Sequence, residues 1–347
     1  MDDWNRSRRA KNGKFQNEIP VIVKFRAGDI VSMLREFLSA KTQRRPKQPL
    51  PIVPLQRGTL SDGKDKIFWF GHSASLLQIG GKTILLDPML GKNPSPLPFS
   101  RNRRFSVKLP ITIEELPPID FVVLSHDHHD HLDSSSIRKL IPKTGTFLVP
   151  LGVGKRIRKR GASPDTVIEL DWGEERIVQG IRFTCTPARH FSGRGLFDQD
   201  STLWCSWVIK TEKRSLFYSG DGGYGPHFKR IGRQHGPFEL AFMECGQYIE
   251  CGQYYKRWSG VHMLPEETVQ AHRDVQGGVL LPVHWGGFTL ALHDWNEPPR
   301  RLSAAAEEQS IPYHIPRIGE AIYLDQIPLS PQRDFWWQDL GRREFPI

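Results

Sequence analysis

The sequence predicts an α/β fold, and three observations carry that prediction. Apolar, β-branched runs of four to six residues alternate with helix-periodic segments and with turns rich in Gly and Pro. Several of these runs stop at a histidine or an aspartate, and the carboxyl ends of strands are where α/β folds place their chemistry. A hydrophobic content of 38% over 347 residues is enough for a large core, built as one big domain or two smaller ones.

Residues 1–60 read as a basic amino-terminal arm. Through Lys47 it holds twelve Lys and Arg against five Asp and Glu, a surplus of seven out of the chain's net +10. Ile30, Val31, Leu34, Phe37 and Leu38 recur at helical spacing behind Asp29 as a cap. This amphipathic stripe either docks on the main domain, the commoner use, or touches an anionic membrane. Gln43 to Pro54 is rich in Pro and Arg and reads as an extended connector. The leading residues Met1-Asp2-Asp3-Trp4-Asn5-Arg6 lack an apolar signal core, and no apolar run reaches about eighteen residues. The expectation is a cytoplasmic protein with peripheral membrane contact through the arm.

A second unit, 61–325, opens with the strand Ile67-Phe68-Trp69-Phe70, interrupted by Gly71-His72-Ser73. Ser75 to Ile79 and Thr83 to Leu86 are joined by Gly80-Gly81 as a hairpin. His72 is either a hydrogen-bonded structural imidazole or a group facing a reaction site. Asp87 closes an apolar strand, where an ionised carboxylate must find a partner; beside a metal, its natural role is to orient a ligand histidine.

The next strand, Ile119 to Leu124, leads into Ser125-His126-Asp127-His128-His129-Asp130-His131-Leu132-Asp133. His126, His128, Asp130 and His131 are the donors that borderline-soft divalent ions prefer, and surface loops rarely place so many directly behind a buried strand. Asp133 or Ser134 caps a short helix through Ile137, Leu140 and Ile141, limited by Pro142. Thr146 to Val149, Val167 to Leu170 and Ile181 to Thr186 follow as strands, the last leading to His190. Ser215 to Tyr218 precedes Ser219-Gly220-Asp221-Gly222-Gly223-Tyr224, whose glycines allow a tight turn that presents Asp221. Val279 to Val283 precedes His284. Helices are expected over Glu266 to Asp274, behind Pro265, and over Arg301 to Gln309. The four cysteines form no CxxC pair and read as buried or free thiols. A tail over 326–347 carries Phe335-Trp336-Trp337, which packs on the domain, across a homodimer interface or at a membrane.

An aspartate and two histidines behind separate strands, added to the central cluster, supply what a two-metal site needs. Two cations about 3.5 to 4 Å apart lower the pKa of a shared water enough to give a hydroxide nucleophile at neutral pH. Nitrogen and oxygen donors without a thiolate favour zinc, with iron or manganese as alternatives. Gly-x-Ser-x-Gly is absent, so no serine nucleophile competes.

The pattern His-x-His-x-Asp-His resembles the signature of the metallo-β-lactamase fold superfamily. There the first pair of histidines serves one metal and the Asp-His pair the second. The resemblance implies His126, His128 and His190 around one ion, Asp130, His131 and His284 around the other, and Asp221 as the bridge. It also implies an αββα sandwich, two mixed sheets face to face with helices outside and the metals at one edge. From about Ile67 to Leu324 a closer likeness appears. Phe70-Gly71-His72-Ser73, Leu86-Asp87-Pro88, Ile113-Glu114-Glu115-Leu116-Pro117, Val149-Pro150-Leu151-Gly152, Gly220-Asp221-Gly222-Gly223-Tyr224 and His284-Trp285-Gly286 are similar to stretches of the N-acyl-phosphatidylethanolamine-hydrolysing phospholipase D family. What this implies is a two-zinc phosphodiesterase releasing N-acylethanolamine and phosphatidic acid. His262 matches a family histidine near the reaction centre, a candidate contact to the substrate phosphate or leaving group; the plainer reading is a surface histidine at a helix entry. Asp130, His262 and His72 are thus the candidate catalytic residues. After the strand ending near Met243, this chain departs from the animal members, with Glu244-Cys245-Gly246-Gln247-Tyr248-Ile249-Glu250.

Two alternatives stand beside a phospholipid or small phosphodiester as substrate. A lactonase or small phosphoester hydrolase acting on a soluble metabolite would use the same ligands. A nuclease or nucleic-acid-binding protein is disfavoured, because Leu132 follows His131 where RNA-processing relatives carry Gly, and because the surplus charge lies in the arm. All the expected ligands lie outside residues 1–47, so removing that segment is expected to spare turnover of a soluble substrate.

Overall fold

The structure is a computed structural model, and it describes residues 6–9, 12–21, 42–95, 102–195, 197–249, 258, 260–327 and 334–340. The expected helix over 29–38 and Cys251 lie outside the described residues.

Two short strands, β1 (Arg8–Arg9) and β2 (Phe15–Gln16), pair in the arm. The first large sheet collects β3 (Lys66–Trp69), β4 (Ser75–Ile79), β5 (Lys82–Leu86), β6 (Ile119–Val123), β7 (Thr144–Pro150) and β8 (Val167–Leu170). The second collects β9 (Glu175–Val178), β10 (Ile181–Thr186), β11 (Ser206–Lys210), β12 (Ser215–Tyr218), β13 (Phe238–Glu244) and β14 (Gly277–Val283). A last strand, β15 (Ala321–Tyr323), returns to the first sheet. The orders are β15-β3-β4-β5-β6-β7-β8 and β14-β13-β12-β11-β10-β9. The first sheet has three antiparallel and three parallel pairings and the second has three antiparallel and two parallel, as expected of a mixed αββα sandwich.

Side-chain alternation explains the layering. In β3, Ile67 and Trp69 join the core cluster shared with the second sheet, whereas Phe68 joins a cluster with Ile137, Leu140 and Ile157 on the outer helices. Those helices are α1 (Ser134–Leu140) and α2 (Gly154–Arg158). The second sheet is covered by α3 (His227–His235), α4 (Pro265–Asp274) and α5 (Glu297–Glu308), which place Phe228, Ile231, Val269 and Leu302 in the larger core. Asp133 caps α1, its carboxylate accepting from Ser135 N and Ser136 N, and Pro265 occupies the first turn of α4.

The arm and the tail are docked wherever they are described. Phe15 is buried in the main core, Val53 N donates to Ile318 O, and Gln43 O accepts from Trp295 N. Of the three places offered for the tail, the body of the domain is the one seen. Trp336 stacks on Trp285 at 5.8 Å, which stacks in turn on Trp69 at 5.1 Å.

Candidate metal centre

Strand direction gathers the candidate residues. β3 and β5 point the same way because each is antiparallel to β4, and β6 is parallel to β5. In the second sheet β12, β13 and β14 are parallel, and β10 shares their direction through β11. The carboxyl ends of these strands bring His72, Asp87, the 126–131 loop, His190, Asp221, Glu244 and His284 to one edge.

The backbone there is forced into unusual shapes. His72, Asp87 and His284 have φ of 57°, 35° and 66°, a region costly for residues other than Gly. Gly220 has φ +59°, and a Cβ on it would lie 2.6 Å from Cys205 O, so only glycine lets the turn present Asp221.

The donors fall into groups. His126 Nε2 lies 2.8 Å from His128 Nδ1, which lies 3.2 Å from His190 Nε2. The outer nitrogens of this set are engaged away from the cluster. His190 Nδ1 faces Val261 O at 3.0 Å. His126 Nδ1 faces Ser125 Oγ at 2.9 Å, and that hydroxyl donates to Asp87. Both rings are therefore the tautomers whose lone pairs point inward. Burial holds His126 and His190 well below the usual imidazole pKa and brings His128 down to about 4, so they are neutral donors.

The second group joins His72, Asp130, His131 and His284. Asp130 Oδ2 is 3.0 Å from His72 Nε2 and 3.6 Å from His131 Nε2. His131 is gripped from behind, its Nδ1 2.6 Å from Asp87 Oδ2. Asp87 also accepts from Tyr218 Oη and, at 2.7 Å, from Ser125 N. Asp87 thus holds the His131 ring from the side away from the other donors.

Asp221 lies between the groups. Its Oδ2 is 2.9 Å from His131 Nε2, 3.9 Å from His190 Nε2 and 4.0 Å from His126 Nε2, and its Oδ1 is 3.0 Å from His284 Nδ1. Burial raises its carboxyl to about 7, against the pull of His131. Burial also opposes protonation of His131, but Asp221, Asp130 and Asp87 outweigh it and push that imidazole well above its usual range. A divalent cation fits where that proton would sit. It would also meet the buried Oδ1 of Asp221, which has no hydrogen-bond partner, and a second cation would satisfy the inward lone pairs of His126 and His190 together, which no single proton can.

His262 is no surface histidine. It is buried, its ring lies 5.3 Å from that of His284 at 12°, and its Nδ1 meets Glu244 Oε1 at 2.8 Å. Asp221, His262 and His284 bring donors within 4.8 Å of one another. His72 fits both sequence readings, since it faces Asp130 while its backbone bridges to Trp285. His129 points elsewhere, to Arg194.

Sequence reasoning missed Glu244 as a partner for His262. Gly222 N donates to it at 3.2 Å, and burial raises its carboxyl well above the usual range. A carboxylate closing an apolar strand was the available signal, the same one that marked Asp87. Also missed was Asn17, whose side chain bonds to the backbone of His190. The candidate ligands all lie outside residues 1–47, yet that contact ties the segment to the backbone of one of them. A cavity of about 530 Å³ opens beside the centre, lined by Lys14, Asn17 and Val21 of the arm and by Phe191, Asp200 and Trp204. Phe191 packs its edge on His128 at 4.6 Å.

Fold and ligand cluster together define a metal-dependent hydrolase, and the comparisons agree. The profile of the Beta-lactamase superfamily domain matches residues 82–285, and the chain belongs to that superfamily. An uncharacterised protein of Mycobacterium tuberculosis is 39% identical over 87% of this chain and 80% of its own length. The N-acyl-phosphatidylethanolamine-hydrolyzing phospholipase D 1 of Caenorhabditis elegans is 35% identical over 67% of each chain. Among solved structures, an isothiocyanate hydrolase from Delia radicum gut bacteria superposes with a TM-score of 0.57 at 20% identity, covering 74% of this chain and 98% of its own, a likeness of fold. Among the described residues no helix is long and apolar enough to cross a membrane.

Proposed function

We propose that this chain is a two-zinc phosphodiesterase of the phospholipase D type, cleaving N-acylated ethanolamine phospholipid to N-acylethanolamine and phosphatidic acid. The observation that carries the reading is Asp221, whose two oxygens reach both donor groups. His126, His128 and His190 would hold one ion, and Asp130, His131 and His284 the other. When bound, a pair of divalent ions supplies charge stabilisation at phosphorus and an activated water near neutral pH.

The chain's own residues do the positioning. Asp87 fixes the ring of His131, and Ser125 passes that constraint to His126. His72 holds Asp130. With Nδ1 against Glu244, His262 keeps Nε2 free to contact the phosphate or give a proton to the departing alkoxide. The cavity beside Phe191 takes part of the substrate beyond the phosphate. The name borne by the nematode relative supports the lipid substrate over a soluble one.

The test is metal analysis of the purified protein, then turnover on vesicles of N-acyl-phosphatidylethanolamine, a generic phosphodiester and a lactone panel. Two ions per chain with release of N-acylethanolamine is the expected result. Lactone opening without phosphodiester cleavage would overturn the substrate class, and protein that binds no divalent ion would overturn the site.

A further inference from the structure

We infer that the amino-terminal strap, residues 12–21, is a working part of the metal centre, with Asn17 as a positioning residue for His190. The inference rests on the reading of His190 as a metal ligand. His190 sits in a loop beyond the end of β10, where no ladder partner among the described residues holds its backbone. Asn17 takes that place from 173 positions away. Its Nδ2 donates to His190 O at 2.6 Å, and its Oδ1 accepts from His190 N at 3.1 Å. Trp204 Nε1 donates to the same Oδ1 at 3.1 Å, which fixes the orientation of the amide. Only a side chain with both a donor and a double acceptor meets these demands at this size, and that is an amide.

The strap is fastened on both sides of Asn17. Phe15 is buried in the core with its N donating to Asp200 O at 2.9 Å, and the Glu18 carboxylate pairs with Arg230 on α3. Val21 lies 3.5 Å from where a Cβ on Gly260 would stand. Gly260 precedes Val261, whose carbonyl holds the His190 ring. The strap thus touches both supports of this histidine, the amide contact on its backbone and the segment that fixes its imidazole. Moving the strap moves the donor.

The test uses the full-length protein as parent, Asn17→Ala, Asn17→Asp and His190→Ala. Ions per chain, competition with a chelator and the absorption spectrum of the cobalt-substituted protein are the readouts, with circular dichroism and thermal melting to monitor the fold. In Asn17→Ala one of the two ions should be held about tenfold more weakly, at the low end of the 10–100-fold range for residues that orient a ligand, with an altered cobalt spectrum. The second ion should keep its parental affinity. Parental affinity for both ions in Asn17→Ala, with one ion lost in His190→Ala, would overturn the role of the strap alone. So would equal weakening of both ions in a folded variant. His190→Ala retaining both ions would instead overturn the ligand reading beneath it. Should Asn17→Ala fail to fold, Asn17→Asp decides by the same measures, since it keeps the shape and the acceptor and replaces the donor to His190 O with a charged oxygen.

Discussion

The two sheets furnish the site in different ways. The first sheet delivers most of its donors in one unbroken loop, His126 to His131, at the end of a single strand. The second delivers one residue per strand, with His190, Asp221 and His284 arriving from β10, β12 and β14. Support differs as well. Within the loop, His131 and, through Ser125, His126 lean on one hub, Asp87, which bonds to Ser125, His131 and Tyr218 together. The dispersed donors lean on separate, chain-distant groups, among them Asn17 and Val261 for His190 and Ser73 for His284. A contiguous set is robust to small shifts between sheets, whereas a dispersed set is accurate only when the sandwich is closed.

Asp221 is where the two contributions meet, so its loss is the largest expected effect. Asp221→Ala should lose at least one ion and lower hydrolysis by about a thousandfold or more, the upper scale for removing one preorganised charge-stabilising group. Metal content and turnover of a phosphodiester check it. Two ions with full activity would show that the groups work independently, and the bridging role would fail.

The hub is the next place to press. Asp87→Asn keeps a residue that tolerates the positive φ at this position, yet removes the charge that His131 and Tyr218 face. Metal affinity should fall roughly 10–100-fold, more for the ion near His131 than for the one near His190. Chelator titration of parent and variant separates the two. An equal fall at both ions would mean that Asp87 supports the whole edge and not one loop.

The same contrast governs what the sequence could reveal. The loop was legible because its spacing is local, and the hairpin at Gly80-Gly81, the cap at Asp133 and the strands β4, β10 and β12 were legible for the same reason. His190, Asp221 and His284 could be read as strand-end residues, and their assembly followed from the family resemblance. β11 was not foreseen, because no Gly or Pro between Gly195 and Lys210 marks where Ser206–Lys210 begins. Glu244 and Asn17 act on residues far away in the chain. Contacts such as Asn17 to His190 leave no periodic trace, since they depend on where the fold brings a strap to rest.

Buried imidazoles outside the cluster sharpen the comparison, because no ion stands ready for them. His227 opens α3, and burial, with Arg230 and Arg189 adding to it, lowers its pKa to about 3. The sign follows directly. Between its ordinary value of 6.5 and about 3, the unfolded chain binds a proton that the folded chain does not, so stability falls as pH drops through that window. The loss approaches about 1.4 kcal/mol per pH unit well below 6.5 and ends near the folded pKa. In metal-free protein, denaturant midpoints of His227→Gln should therefore fall less steeply from pH 6.5 to 4 than those of the parent. Comparing slopes cancels the packing lost on substitution. Parallel slopes would mean that His227 titrates normally in the folded state.

The smallest effect belongs to the histidine of the loop that faces away from the other donors. His129 lies between His128 and Asp130, yet Arg194 Nη2 donates to its Nδ1 at 2.8 Å, away from the donors. Arg194 keeps its grip on the loop without it, donating to Asp127 O at 2.6 Å and to Leu132 O at 2.8 Å. His129→Ala should thus retain both ions and near-parental turnover, and lose roughly 1–3 kcal/mol of stability, the net worth of its two hydrogen bonds to Arg194. Metal analysis with a denaturant titration is sufficient. An ion missing from the His129→Ala protein would mean that the loop presents a different set of nitrogens to the metals, and the division of donors between the two sheets would have to be redrawn.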